Sequence, residues 1–282
     1  MKYRNNHHVI YGQNPHPLFL ILCLSLLFAF VPAKANERKF TYVYETSVLA
    51  PGMRELEVWN TYRSERTYFF RQLDQSIELE FGIVDRLMGA LYLNYEWNAR
   101  DSNGDEPGGT MLHEQAANIS TEMKYKLLDR VADPLGMAVY GEFTLGPDET
   151  EAEEKLILDT QFGDLLAATN IVLEQEWDTN LEDGVIRNSR EWKLELDAGL
   201  SYSLTRQLSL GVELVQQNMF DQGEGENAAL FLGPVVSYTG EQWWATWTFL
   251  PQVAGFAGSS GRPLNLNEFE KMQTRLMVSF HL

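Results

Sequence analysis

A period-two alternation of apolar and polar residues runs through most of this chain and constrains its fold more than any other feature. Between Leu73 and Phe81, apolar side chains occupy one phase, and acidic or small polar side chains occupy the other. Similar alternation recurs at 91–97 and 192–202. Successive side chains of a β-strand point to opposite faces, whereas a helix brings together residues three and four apart. The alternation therefore predicts strands with one apolar face and one polar face.

Twelve such runs are separated by turn residues, and the connections alternate between short turns and mostly longer polar loops. An even number of antiparallel strands of about ten residues, with short turns on one rim and long loops on the other, is the plan of an outer-membrane barrel. We predict an all-β fold, a single closed antiparallel transmembrane β-barrel of about twelve strands with short periplasmic turns and longer extracellular loops. The predicted strands are 53–64, 69–83, 87–98, 113–127, 135–146, 154–163, 165–177, 189–204, 207–219, 228–238, 242–251 and 268–282.

The first 35 residues have the three parts of a secretory signal peptide. Lys2 and Arg4 precede an apolar stretch at 18–31, and Ala33-Lys34-Ala35 supplies a small-x-small cleavage site. We predict a signal peptide at 1–35, cleaved after Ala35, and a barrel at 53–282. Residues 36–52 alternate only partially, which leaves three alternatives: a periplasmic lead-in, a plug of the lumen or an extra strand.

Composition excludes several classes of function. The chain has 22 basic and 40 acidic residues and a net charge of −18, whereas a nucleic-acid-binding surface needs a basic patch. The single cysteine, Cys23, lies in the predicted signal peptide, so the exported chain has no disulfide and no cysteine-built metal site. Asp101–Asp105 has oxygen ligands at alternate positions, as calcium loops do, but Leu112 at the twelfth position cannot coordinate. We predict no cofactor and no metal, and an acidic surface loop at 101–112.

The predicted export signal, the tight turn within Gly82–Leu87 and the alternating end at Phe280–Leu282 resemble Gram-negative outer-membrane β-barrel proteins. The resemblance covers residues 53–282 and is architectural, and the small porin-like, transporter-like and uncharacterised members of that class are similar to this chain. It implies a place in the bacterial outer membrane, in contact with lipid and lipopolysaccharide. It also implies insertion by the barrel-assembly machinery, which in this class recognises an alternating terminal strand.

Ionisable side chains occupy the polar phase of nearly every predicted strand. A basic residue facing lipid at mid-depth costs about 2–4 kcal/mol, so these groups are expected to face inward. Twelve acids and five bases then line the lumen, and clustered carboxylates in a narrow pore attract cations. We predict a porin-like or transport protein that passes small solutes and favours cations. The predicted pore-lining residues are Glu57, Glu78, Glu80, Glu96, Glu122, Lys124, Glu142, Asp159, Glu174, Glu176, Lys193, Glu195, Asp197, Glu213, Lys271 and Arg275, and Lys155 has the same phase.

A closed structural or surface barrel is the first alternative, because charges on neighbouring strands also pair with each other. Cross-strand pairs stabilise the register of a sheet by about 0.2–1 kcal/mol each and require no transport. In this interpretation Lys193 pairs with Glu174 and Glu176. Lys271 and Arg275 likewise pair with Glu55 or Glu57 across the seam of the barrel. The acidic runs 149–154 and 224–226 are expected to be solvated loop tips.

A membrane-embedded lipid hydrolase is the second alternative, with His113 as a general base. Such an enzyme needs a nucleophile and an orienting group within hydrogen-bond reach, and no sequence motif marks either one. We therefore predict that the protein is not an enzyme.

Overall fold

The computed structural model describes residues 37–102, 109–147, 149–182, 185–221 and 224–282. The predicted signal peptide and residues 103–108 of the acidic loop lie outside the described residues. Twelve strands follow in chain order: β1 (Arg54–Ser64), β2 (Phe70–Val84), β3 (Leu87–Asp101), β4 (Met111–Leu128), β5 (Gly136–Leu145), β6 (Glu149–Phe162), β7 (Leu165–Glu182), β8 (Val185–Ser203), β9 (Leu208–Asp221), β10 (Glu224–Thr239), β11 (Trp243–Gly255) and β12 (Met272–His281).

These strands form one closed antiparallel barrel. Each pairs with its neighbours in sequence, and β1 also pairs with β12. Val58 thus faces Ile77 of β2 on one side and Val278 of β12 on the other. Closure leaves no unpaired sheet edge, which a membrane-embedded sheet requires. The predicted fold class is confirmed. Among the described residues, no helix is both long and apolar enough to cross a bilayer.

The alternation of the sequence separates the two faces of the barrel wall. On β3, Leu91 and Leu93 are 54% and 62% exposed, whereas Ala90 and Tyr92 are buried. The outer face therefore carries the large apolar side chains and the inner face carries the polar ones. This arrangement is inverted relative to a water-soluble barrel and is the one that lipid requires.

Several strands extend further toward the long-loop rim than the sequence predicts. The acidic run 149–154 belongs to β6, and residues 224–226 begin β10, so the expectation that both runs are loop tips was wrong. The predicted loop at 178–188 is also mostly strand, because β7 and β8 stay paired from Leu165–Tyr202 to Glu182–Val185. The ladder of backbone hydrogen bonds continues beyond the apolar band, because it does not require an apolar or alternating side-chain pattern. Conversely, β12 begins at Met272 rather than at 268.

Residues 37–50, which we call the lumenal segment, run inside the barrel without pairing as a strand. Tyr42 packs in a buried cluster with Phe231 of β10 and Leu250 of β11. Phe40 lies against β8 at Gly199, where a Cβ atom would come within 2.6 Å of the phenyl ring. A single segment that reaches the inner faces of strands around the wall must lie within it. The apolar core of the molecule therefore consists of small clusters around this segment.

Candidate functional site in the lumen

The structure places nearly all of the predicted pore-lining residues on the inner face of the barrel, but at two levels of burial. Glu57, Glu78, Glu80, Glu122, Lys124, Asp159, Asp197 and Glu213 are buried. Glu96, Glu142, Glu174, Glu176, Lys193, Glu195 and Arg275 are partly buried, as is Lys155. The lumen is therefore polar along its depth.

Lys271 departs from this pattern. It precedes β12, its side chain is about half exposed (54%), and its ammonium group pairs with Glu65 at 2.7 Å. Arg275 also differs from the expected seam pairing, because its guanidinium donates to the Thr61 hydroxyl at 2.8 Å and lies 3.9 Å from the centre of the Tyr42 ring. The predicted pairing of these two bases with Glu55 or Glu57 was therefore wrong. The sequence does not show that the lumenal segment and the 65–69 turn supply competing partners.

Lys193 does join two strands as predicted. Its ammonium group lies 2.6 Å from Glu174 and 2.9 Å from Glu176, both on β7. A similar contact joins Lys155 to Glu153 at 2.8 Å along β6. These ion pairs are partly buried, so they are screened less by salt than surface pairs are.

The lumenal segment is held chiefly through the carboxylate of Glu213. The backbone N–H groups of Thr41, Tyr42 and Val43 donate to its Oε1 at 3.0, 2.8 and 3.0 Å. The hydroxyl of Thr248 donates to its other oxygen. Three consecutive N–H groups that converge on one anion form a nest, an arrangement that stabilises negative charge. Glu213 was predicted as pore-lining, but its role as the anchor of this segment was not foreseen.

Further polar contacts fix the course of the segment on β6 and β7. Asn170 accepts from the Tyr44 N–H at 2.6 Å and donates to the Tyr44 carbonyl at 3.0 Å. Asp159 accepts from the N–H of Thr46 at 2.9 Å and from its hydroxyl at 2.7 Å. The segment thus meets its hydrogen-bonding needs through lumenal side chains instead of a sheet ladder.

Arg130, in the turn between β4 and β5, ties the segment to the barrel wall. Its guanidinium lies 2.8 Å from Glu45 of the lumenal segment and 2.6 Å from Asp159 of β6. Burial lowers the pKa of Arg130, but the two carboxylates outweigh burial and hold its pKa above the ordinary value. Arg130 therefore stays charged and bridges the two acids. Neither Arg130 nor Glu45 was predicted, since neither lies on a predicted strand.

The segment fills the half of the lumen near the short turns. Its anchors lie three to five residues from the turn-side ends of their strands, as with Asp159 on β6, Asn170 on β7 and Glu213 on β9. The other half contains a cavity of about 220 Å³. Its charged lining residues are Arg63, Arg66, Glu174, Lys193, Glu195, Glu268 and Glu270.

The loop at 256–271 folds back to bound this cavity at the other rim. Phe269 is 6% exposed and packs edge-on against Phe231, with ring centres 6.4 Å apart. Asn265 of this loop is also buried, and Gln252 of β11 fixes its position. The backbone N–H of Asn265 donates to Gln252 Oε1 at 2.6 Å. The cavity therefore lies between a folded loop and the lumenal segment.

His113 lies on β4, in the phase of the outer face, and is exposed. Its ring stacks on Trp97 with centres 6.0 Å apart. This position is away from the lumen and its carboxylates, so the geometry offers no support for the hydrolase alternative.

The closed twelve-stranded wall, its apolar exterior and its polar interior define an outer-membrane β-barrel of the type found in Gram-negative bacteria. The chain is therefore a protein of the bacterial outer membrane. Residues 32–282 match the sequence profile described as "Family of unknown function (DUF6662)", and the chain belongs to that family. The sequence matches none of the curated proteins.

Several solved structures are similar to this chain at low sequence identity. The translocator domain of the autotransporter NalP from Neisseria meningitidis is 10% identical, with 84% of this chain and 91% of that chain covered and a TM-score of 0.55. The β domain of the Bordetella autotransporter BrkA is 11% identical, with 82% and 100% covered and a TM-score of 0.53. The NanC porin is 12% identical, with 80% and 100% covered and a TM-score of 0.48.

Proposed function

We propose that this barrel is a narrow channel for small solutes that favours cations and is closed near its short turns by the lumenal segment. The observation that carries the proposal is the division of the lumen. One half holds a cavity lined by charged side chains, and the other half holds a segment bound without strand pairing. A segment held by side-chain hydrogen bonds and ion pairs is released at a lower cost than a strand of the wall.

The preference for cations follows from the balance of lumenal charge. The inner face carries more carboxylates than ammonium or guanidinium groups, and a ring of carboxylates lowers the energy of a cation in a narrow pore. At the cavity the excess is small, with four acids and three bases. We therefore expect a moderate preference for K⁺ over Cl⁻.

We also propose that residues 1–35 are a signal peptide removed on export and that the barrel-assembly machinery inserts the chain. Small solutes and the surrounding lipid and lipopolysaccharide are the partners this function requires. No catalytic role is proposed.

Planar-bilayer recording tests the channel. We expect small or rare openings for the full chain, and a larger, steady conductance for a variant that lacks residues 37–50. In a KCl gradient the reversal potential of that variant is expected to shift from zero toward the equilibrium potential of K⁺. A second opening variant, Glu213→Ala, covers the case in which the deletion does not fold.

Charge variants made in the open background then test the selectivity. Glu174→Gln and Glu195→Gln, which remove carboxylates from the cavity wall, are expected to shift the reversal potential toward zero. Glu154→Gln is the matched control, because Glu154 lies on β6 in the outward phase and is exposed. If neither opening variant conducts although both fold, the closed structural barrel is the correct alternative. The segment that fills half of the lumen is the observation that favours that alternative.

A further inference from the structure

Four glutamates form a two-by-two array on the inner face of β1 and β2, near the short-turn end. Glu55 is directly opposite Glu80, and Glu57 is directly opposite Glu78. All four are at most 4% exposed. Like charges directly opposite each other destabilise a sheet, and buried charge is costly unless it is compensated.

The described residues compensate this array incompletely. Three of the four carboxylates have a buried oxygen without a hydrogen-bond partner in the described part of the chain, namely Glu57 Oε1, Glu78 Oε2 and Glu80 Oε2. Arg38 and Lys124 interact electrostatically with Glu57, and Lys124 also interacts with Glu80. In the described ranges, neither Glu57 nor Glu80 has a lysine or arginine nitrogen within 4.0 Å, in contrast to Glu174 and Glu153.

The geometry of the array fits a cation. One carboxylate oxygen from each of Glu55, Glu57 and Glu80 lies within 4.8 Å of the other two. Calcium binds oxygen ligands at about 2.3–2.6 Å, so ligands on opposite sides of the ion are about 4.6–5.2 Å apart. A single ion therefore reaches all three carboxylates without movement of the strands. Glu57 Oε2 already accepts from the Trp59 indole at 3.1 Å, which leaves the unpartnered Oε1 available.

We propose that Glu55, Glu57 and Glu80 bind a divalent cation of the calcium type where β1 meets β2, beside the pair of strands that closes the barrel. His281 of β12 is opposite Glu55, with Nε2 4.0 Å from Oε1, so its imidazole is the side chain that competes with an ion for the Glu55 carboxylate. The proposed ion links the first two strands at the seam and is expected to stabilise closure. It does not depend on whether the barrel conducts.

Terbium luminescence provides a test with the full chain in detergent micelles, because Tb³⁺ occupies calcium sites and is excited by nearby indoles. Trp59 and Trp244 each donate to a carboxylate of the site, at 3.1 Å to Glu57 and 3.3 Å to Glu55. After removal of metals by EDTA, we expect saturable Tb³⁺ emission at one ion per chain, displaced by Ca²⁺. Ca²⁺ is also expected to raise the Tm of the barrel.

Glu57→Gln and Glu80→Gln are expected to weaken Tb³⁺ binding at least about tenfold and to abolish the Ca²⁺-dependent rise in Tm, because each removes a charged ligand. Glu153→Gln is the matched control, since its carboxylate is lumenal but pairs with Lys155. A difference in SDS-gel mobility between unheated and heated samples identifies the variants that fold. Because two independent variants are used, the proposal is still tested if one of them fails to fold. Emission that Ca²⁺ does not displace, or that both variants retain, would overturn the proposal. If His281→Ala loses Ca²⁺ displacement of Tb³⁺ and the Ca²⁺-dependent rise in Tm whereas both glutamate variants keep them, the ion binds at another site and the proposal is overturned.

Discussion

At the scale of the residue, single lumenal carboxylates do structural work that their position in a strand does not reveal. Glu213 is buried in the half of the lumen near the short turns, yet it is stable there because three backbone N–H groups and two hydroxyls surround it. Arg130 has the same function for Glu45 and Asp159. Hydrogen bonds to charged groups contribute about 1.5–3 kcal/mol each. The position of the lumenal segment therefore depends on a few side chains.

Glu213→Ala is expected to release the lumenal segment, because the change leaves three buried N–H groups without an acceptor. The measurement is the rate at which a water-soluble maleimide labels the cysteine introduced by Val43→Cys, which is the only cysteine after residue 35. Labelling is expected to accelerate about tenfold or more, in line with the loss of local stability. Glu195→Ala is the control, since Glu195 accepts from Gln217 and does not hold the segment. Equal labelling of both variants would mean that Glu213 is not the anchor.

At the scale of the element, each strand has an outer face that requires apolar side chains and an inner face that accepts charged ones. On β9, Val212 faces outward with 45% exposure, whereas Glu213 beside it is fully buried. Because side chains alternate with a period of two, a shift of one residue would place every acid of the strand in lipid. The register of each strand is therefore strongly specified by the membrane itself.

This rule predicts unequal effects of the same substitution on β9. Val212→Lys is expected to lower the free energy of unfolding by about 2–4 kcal/mol, because it places an ammonium group in lipid. Gln217→Lys is expected to cost less than about 1 kcal/mol, since the lysine can pair with Glu195, which Gln217 contacts at 2.8 Å. Urea unfolding in lipid vesicles measures both. Equal costs would contradict the assignment of the two faces.

At the scale of the whole molecule, the barrel is closed around its circumference by the pairing of β1 with β12, and half of its lumen is filled. Closure joins residues separated by more than two hundred positions, such as Val58 and Val278. Those long-range hydrogen bonds, together with the lumenal segment that contacts strands on several sides, make the barrel one cooperative unit.

An engineered disulfide tests closure. Directly opposite residues in antiparallel strands have Cα atoms about 4.5–5.5 Å apart, within the range that a disulfide spans. Val58→Cys with Val278→Cys is therefore expected to cross-link on oxidation and to shift the mobility of the unfolded chain on a non-reducing gel. Val58→Cys with Val236→Cys is the control, because Val236 belongs to β10, which does not pair with β1. Absence of the cross-link in the folded Val278 pair would contradict the closed topology.

The sequence by itself determined the class of fold, the number of strands and the orientation of most side chains. These properties depend on alternation, which is local and repeats in every strand, and on the cost of placing charge in lipid. The ends of the strands were less certain, as the run 149–154 illustrates, because backbone ladders continue where the side-chain pattern stops. The pairing of Lys193 with Glu174 was also predictable from neighbouring strands.

Only the tertiary structure decided the course of residues 37–50 and the partners of individual charges. The lumenal segment has no repeating conformation, and its stability comes from Glu213, Asn170 and Asp159, which are distant in sequence. The sequence likewise did not show that Arg275 would contact Thr61 and Tyr42. Hydrogen bonds between distant residues depend on register, curvature and what fills the lumen, and none of these is encoded in a local pattern.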